Sequence, residues 1–186
     1  MRAHRIGGAL AALGFIGSVL AANYATTRFG FIPVGFGLTA TAGTFAAGFA
    51  LALRDATQDA WGRKAVLAVI VIGAGLSFLI ADQFIALASA AAFLLSELAD
   101  FAIYTPLRKR STLGDRRWVA AVVASNTVGA IIDTAVFLGI AFGAAAIMPG
   151  MAGQFVGKAW ATVAYLIAGK AVSHLVSRHR LDRESA

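Results

Sequence analysis

Cysteine is absent from the 186-residue chain, which removes disulfides, thiolate metal ligands and cysteine nucleophiles together. Histidine is nearly so: His4, His174 and His179 have neither the mutual spacing nor the paired carboxylates of a zinc site. The chain also lacks a G-x-S-x-G elbow, a phosphate-binding G-x-x-x-x-G-K and an H-E-x-x-H pair. These absences argue against an enzyme, and no cofactor or metal is expected. Charge is scarce as well. Only 13% of residues are charged and 59% are hydrophobic, whereas soluble domains carry about 25% charge. With a mean hydropathy of +0.78, most of the surface must face lipid.

What is present is a series of apolar runs, each near the length that crosses about 30 Å of hydrocarbon. They cover residues 6–24, 38–53, 64–81, 84–105, 118–142 and 155–176. The fold class expected is therefore all-α, a single polytopic membrane domain over residues 1–186 with about six transmembrane helices. The linker Thr26 to Gly37 contains Arg28, Pro33 and three glycines, poor material for a helix interior. Only Asp82 and Gln83 separate the third run from the fourth, which predicts a tight helical hairpin. The first run sits behind basic residues and resembles a secretory signal, with Val19, Leu20 and Ala21 as a cleavage site. It is expected to be retained, because its loss would upset the topology.

The net charge of +7 would suggest nucleic acid in a soluble chain, but here the basic residues lie at the ends of the apolar runs. With the N-terminus inside, Arg2, Arg5, Arg54, Arg63, Lys64, Arg108, Lys109, Arg110, Arg116, Arg117, Arg178, Arg180 and Arg183 are cytoplasmic. Arg28 alone is outside, and Lys158 and Lys170 fall within the sixth run. This bias predicts both termini in the cytoplasm of a multi-pass inner-membrane protein, with no nucleic-acid partner. Tyr24, Tyr104 and Trp118 fit an interfacial aromatic belt, while Trp160 and Tyr165 lie deeper. Gly139 with Gly143, and Gly153 with Gly157, have the spacing that lets helices approach closely.

Ionisable groups inside a span are costly and must face the bundle interior, a partner or water. Glu97 and Asp100 are three apart and share a helix face with Ser96. Asn126 and Asp133 are seven apart, with Gly129 and Ala130 leaving an open lane between them. At 1.5 Å per residue, Asp100 and Asn126 lie at similar depth, roughly 12 to 14 Å inward from the basic clusters at Arg108 and Arg117. They are expected to line one pocket. A pair between Asp133 and Lys158 is geometrically allowed but not required. Arg54, Asp55, Gln58, Asp59, Arg63 and Lys64 read more readily as an interfacial loop than as a site. Three carboxylates in two neighbouring spans exceed what packing needs and suit substrate or proton binding.

The segment Ser125-Asn126-Thr127-Val128-Gly129-Ala130-Ile131-Ile132-Asp133-Thr134, followed by Phe137 and Ile140-Ala141-Phe142, closely resembles the VUT family of queuosine-precursor transporters. Asn23-Tyr24, Asp55 with its following basic cluster, Ala88-Ser89, Asp100, Leu107 and Arg108 resemble it too. The resemblance implies a six-helix importer of 7-deazaguanine bases or a related planar base. Asp55, Asp100, Asn126 and Asp133 are its carried-over substrate-binding candidates, beside Glu97 from the residue reading. A guanine-like edge presents adjacent N–H donors that one carboxylate accepts in pairs. The alternatives are a substrate-binding subunit of a multi-component vitamin or base uptake system, with a separate energising partner, and a nontransporting scaffold. A homo-oligomer is compatible with each.

Overall fold

The computed structural model describes the backbone of residues 2–184 and the side chains of residues 6–100 and 102–173. The candidate side chains Arg2, His4, Arg5, His174, Arg178, His179, Arg180 and Arg183 lie outside that set. The chain is an all-α membrane protein, with α1 (Arg2–Phe29), α2 (Thr44–Trp61), α3 (Arg63–Ile80), α4 (Gln83–Arg108), α5 (Arg116–Phe142) and α6 (Ile147–Glu184). Four of the described helices, α1, α3, α4 and α5, are long and apolar enough to cross a membrane. The helices run alternately up and down, so one end of the bundle gathers the links α2–α3 and α4–α5. The other end gathers α1–α2, α3–α4 and α5–α6. We call these the basic end and the hairpin end.

The hairpin end departs from the sequence expectation. Residues 38–41, assigned above to the second apolar run, form strand β2 (Leu38–Thr41), antiparallel to β1 (Phe31–Gly35). The reason is local. Pro33 and the glycines disfavour a helix, Gly35 and Gly37 take positive φ of 102° and 72°, and Phe36 follows at 55°. Alternating threonines at 39 and 41 then suit a strand. The second helix consequently starts at Thr44 and continues to Trp61, so Arg54 and Asp55 lie inside it rather than in a loop at its end. Helix α1 also extends through Phe29, further than the first run, and α6 begins earlier than residue 155, at Ile147.

The ends of the helices follow ordinary capping chemistry. Asp82 caps α4 by accepting from the backbone N–H of Phe84 (2.9 Å) and Ile85 (3.0 Å); the tight turn is Ala81–Asp82, one residue earlier than the Asp82–Gln83 pair expected, and Gln83 opens α4. Asp115 caps α5, accepting from Trp118 N–H (2.5 Å) and Thr112 N–H (2.9 Å). The hydrogen bonds from Thr112 and Trp118 hold its carboxyl below the ordinary value of 3.8. Gly62, at φ 80°, is the one residue between α2 and α3.

Much of the lateral surface is apolar: Leu79 is 79% exposed, Val71 71% and Ile167 65%. Such a surface is stable against lipid and not against water. Inside, helix approach depends on small residues. Gly8 faces the Trp61 ring, Gly43 the Ala22 carbonyl, Gly153 the Thr39 carbonyl and Gly157 the Thr44 side chain, so α6 packs closely on both the hairpin and α2. Gly143, in contrast, packs on nothing and serves as the positive-φ stop of α5. Tyr104 and Trp118 are fully buried rather than in an interfacial belt. Both face the core, where Trp118 lies across Gly169 and 6.0 Å from the Tyr165 ring. Tyr24 is half exposed.

Two predictions follow from these contacts. Gly153→Ala forces a Cβ onto the Thr39 carbonyl and lowers stability by about 1 to 3 kcal/mol. Gly75→Ala, with nothing within 4 Å, gains a few tenths to about 1 kcal/mol from helix propensity. Thermal unfolding of the two variants in detergent checks the opposite signs. Because the Asp115 carboxyl is depressed in the folded state, its advantage over Asp115→Asn is full above the ordinary 3.8 and disappears as pH falls through the lower folded-state value. Melting of both proteins across that acid range measures the narrowing gap.

Candidate functional site

Helix α2 presents Arg54 and Asp55 to the bundle centre, both essentially inaccessible at 1% and 0% exposure. Helix α4 answers with a face spaced at helical period: Phe93, Ser96, Glu97, Asp100 and Tyr104, all buried. Helix α5 closes the third side with Ser125 and Gly129, also buried. A Cβ on Gly129 would sit in ordinary contact with Arg54 Nη1, at 3.7 Å, which places this face of α5 against the guanidinium.

Arg54 Nη2 donates to Asp100 Oδ1 at 2.7 Å, to Asp55 Oδ1 at 3.0 Å and to Ser125 Oγ at 3.1 Å. Its Nε donates to Asp55 Oδ1 at 3.2 Å and lies 3.3 Å from Glu97 Oε2. The Ser125 hydroxyl donates to Asp100. One guanidinium thus faces three carboxyl groups. Several polar atoms of this centre remain without a hydrogen bond: Arg54 Nη1, Asp55 Oδ2, Asp100 Oδ2 and both Glu97 oxygens. Buried polar atoms left open in this number are unusual in a purely structural network.

A second polar centre lies toward the hairpin end. Lys158 Nζ on α6 donates to Asp133 Oδ2 at 2.5 Å and to Thr134 Oγ1 at 2.7 Å on α5. The Lys158–Asp133 pair that the sequence allowed is therefore formed. Above it, Gln154 donates to Thr41 at 2.6 Å and accepts from Thr44 at 2.8 Å, fastening α6 to β2 and α2. Asn23, Thr26, Thr41, Ser89, Asp133, Gln154 and Lys158 surround a small cavity of about 20 Å³. That holds about one water, so the bundle is closed here. From Ser125 to Asp133 is eight residues of helix, roughly 12 Å along α5, and the two centres are stacked in series.

Of the sequence candidates, Asp55, Glu97 and Asp100 converge on Arg54, while Asp133 belongs to the Lys158 centre. Asn126 does not share a pocket wall with Asp100: Ser125 takes that place, and Asn126 turns toward α6. There it donates to Thr162 at 3.2 Å and lines a mostly apolar groove of about 190 Å³ with Lys158. Its Oδ1 is buried without a partner. Arg54 was the main omission. The run Leu51-Ala52-Leu53-Arg54-Asp55 carries a signal for it, since Glu97 and Asp100 on one buried face require a cation nearby. Gln154 and Thr41 had no signal of that kind.

A wider groove, about 650 Å³, opens between α1, α2 and α6. Phe49, Leu53, Tyr165 and Val172 line it, and Asp59 with Arg108 bounds it at the basic end. Arg108 Nε donates to Asp59 at 2.6 Å, joining α4 to α2. Trp160 is half exposed on the outer face of α6, away from either centre.

Removing the cation of the first centre leaves its carboxylates uncompensated. Arg54→Met is expected to cost about 3 to 5 kcal/mol. Adding Asp100→Asn removes one of those charges and returns part of the loss, a coupling of about 0.5 to 3 kcal/mol. Denaturation of the two single variants and the double variant in detergent measures it.

No curated protein and no solved structure matches the chain. Residues 81–172, from the turn before α4 into α6, match the family described as "Putative vitamin uptake transporter". That stretch, just under half of the chain, carries Glu97, Asp100, Ser125, Asn126, Asp133 and Lys158, and over these residues the chain is similar to that family.

Proposed function

We propose that the chain is an inner-membrane carrier, multi-pass and with both termini in the cytoplasm, that imports 7-deazaguanine queuosine precursors or a related planar base. The observation that carries this reading is the polar interior. Asp55, Glu97 and Asp100 present acceptor oxygens without donors at the depth where α2, α4 and α5 meet, and Asn126 presents another toward α6. A guanine-like edge supplies the missing donors as adjacent N–H groups, and an aminomethyl-bearing precursor adds a cation for a second carboxylate. The family match to uptake transporters supports the same direction.

Asp133 and Lys158 form the next layer on the path, with the Gln154–Thr41–Thr44 contacts over them. A cavity of about 20 Å³ is far below the roughly 300 Å³ of a small-molecule pocket. Loading therefore requires α6 to separate from α5 and the hairpin, which breaks the Lys158–Asp133 pair. A closed interior with two polar layers suits a carrier better than an open channel.

The test is uptake of radiolabelled queuosine precursors by liposomes containing only this protein. Wild type accumulates label and Asp100→Asn and Asp133→Asn lose at least about tenfold in rate, the effect of roughly 1.4 kcal/mol at the transition state. Absence of uptake by folded wild type under pH gradients of either sign would reject an autonomous base carrier.

A further inference from the structure

The Arg54 centre contains more acid than base. Arg54 offers one positive charge to Asp55, Glu97 and Asp100, all within reach of the same guanidinium and all shielded from solvent. With every carboxyl ionised the centre would hold two surplus negative charges at membrane depth. Like charges sharing a desolvated site do not all ionise. Arg63 on α3 also acts on Glu97 and offsets part of this surplus; the rest has to be met by a bound cation or by protons.

The geometry favours protons. Among the described residues no three acidic or histidine side chains converge as metal ligands do, although the three carboxyls share one partner. Glu97 is also the odd member. Asp55 and Asp100 each accept from Arg54 Nη2, and Asp100 also accepts from Ser125. Glu97 accepts no hydrogen bond on either oxygen and keeps only a 3.3 Å charge contact to Nε. It is the carboxyl with least to lose by becoming neutral. It is fully buried and lies three residues from Asp100 on the same face of α4.

We propose that Glu97 is a proton-binding site, and that its loading and unloading couple the carrier to the proton gradient. The proton site stands on the Arg54 geometry alone, while coupling rests on the transport reading above. A proton added to Glu97 removes one charge from the centre and frees Arg54 to hold Asp55 and Asp100. Its loss restores a third claim on Arg54 and loosens α4 from α2. The charged and titratable groups facing Glu97 are Arg54 and Asp55 from α2, Arg63 from α3, and Asp100 from its own helix. Tyr104, buried beside Arg108, continues the same face toward the Asp59–Arg108 pair. Ser125 faces the centre from α5, and α1 meets α4 through the Phe15–Phe93 ring contact.

Infrared pH-difference spectroscopy of the full chain in lipid nanodiscs tests the proton site without any substrate. Wild type is expected to show a carboxylic-acid C=O band that shifts in D₂O, is insensitive to sodium, and disappears in Glu97→Gln. Asp55→Asn and Asp100→Asn serve as parallel variants and should retain it. A wild-type spectrum without a carboxylic-acid band at neutral pH, or a band removed by sodium, overturns the proposal. So does a band that survives Glu97→Gln and vanishes in either aspartate variant.

Uptake of a labelled 7-deazaguanine into liposomes then tests coupling. An acid-outside gradient should raise wild-type accumulation toward about tenfold per pH unit for one proton per substrate. Glu97→Gln should show no gradient dependence. Gradient-independent uptake by wild type would overturn coupling while leaving transport standing. A Glu97 band in a protein that takes up no base would support the proton site and reject the base-carrier reading instead.

Discussion

A guanidinium cannot be left alone at membrane depth, and no side chain of α2 other than Asp55 is placed to satisfy Arg54. The remaining partners come from α4 and α5, through Asp100, Glu97 and Ser125. That requirement fixes the rotation of three helices at once, because each donor or acceptor must point inward at the same level. Once they do, Phe15, Leu51, Phe93 and Ala130 fall together as the apolar layer beside the centre. Ion pairs of this kind are a poor source of net stability, since desolvation offsets most of the attraction. Their value is orientational: few rotations of α4 against α2 satisfy so many groups.

Packing density around the two polar layers comes from missing side chains. Gly153 and Gly157 let α6 lie against the hairpin and α2. In lipid, where apolar contact with a neighbouring helix gains little over contact with acyl chains, close backbone approach and buried polar bonds carry helix association. Helix α6 combines both: Lys158 bonds to Asp133 and Gln154 to Thr41 and Thr44, while Gly153, Gly157 and Gly169 bring its backbone against Thr39, Thr44 and Trp118.

The two layers also divide the chemistry. The Arg54 centre has an excess of acid and open acceptor atoms, whereas the Lys158 layer is balanced, one ammonium against one carboxylate with Thr134 accepting in addition. Under the carrier function proposed above, a solute moving along the bundle would meet groups of different character in sequence. The match over residues 81–172 covers α4 and α5 and most of the second layer, which are the elements that carry most of these side chains.

Composition and hydropathy by themselves determined that this is an all-α membrane protein, because an apolar surface of this extent has no stable place except lipid. Charge inside apolar runs also marked Glu97, Asp100 and Asp133 as interior groups. Only the tertiary structure decided how those groups are shared. Residues 38–41 became a strand because Pro33 and three glycines set the turn chemistry locally, and hydropathy does not sense backbone dihedral preference. Arg54 looked like the end of a helix because a linear scan counts a charge as a boundary. Three-dimensional packing instead neutralises it with carboxylates that stand 43 and 46 positions away in the chain. Likewise Ser125, not its neighbour Asn126, reaches Asp100, since adjacent residues differ by about 100° around a helix and only the packing of α5 against α4 selects which of the two faces the centre.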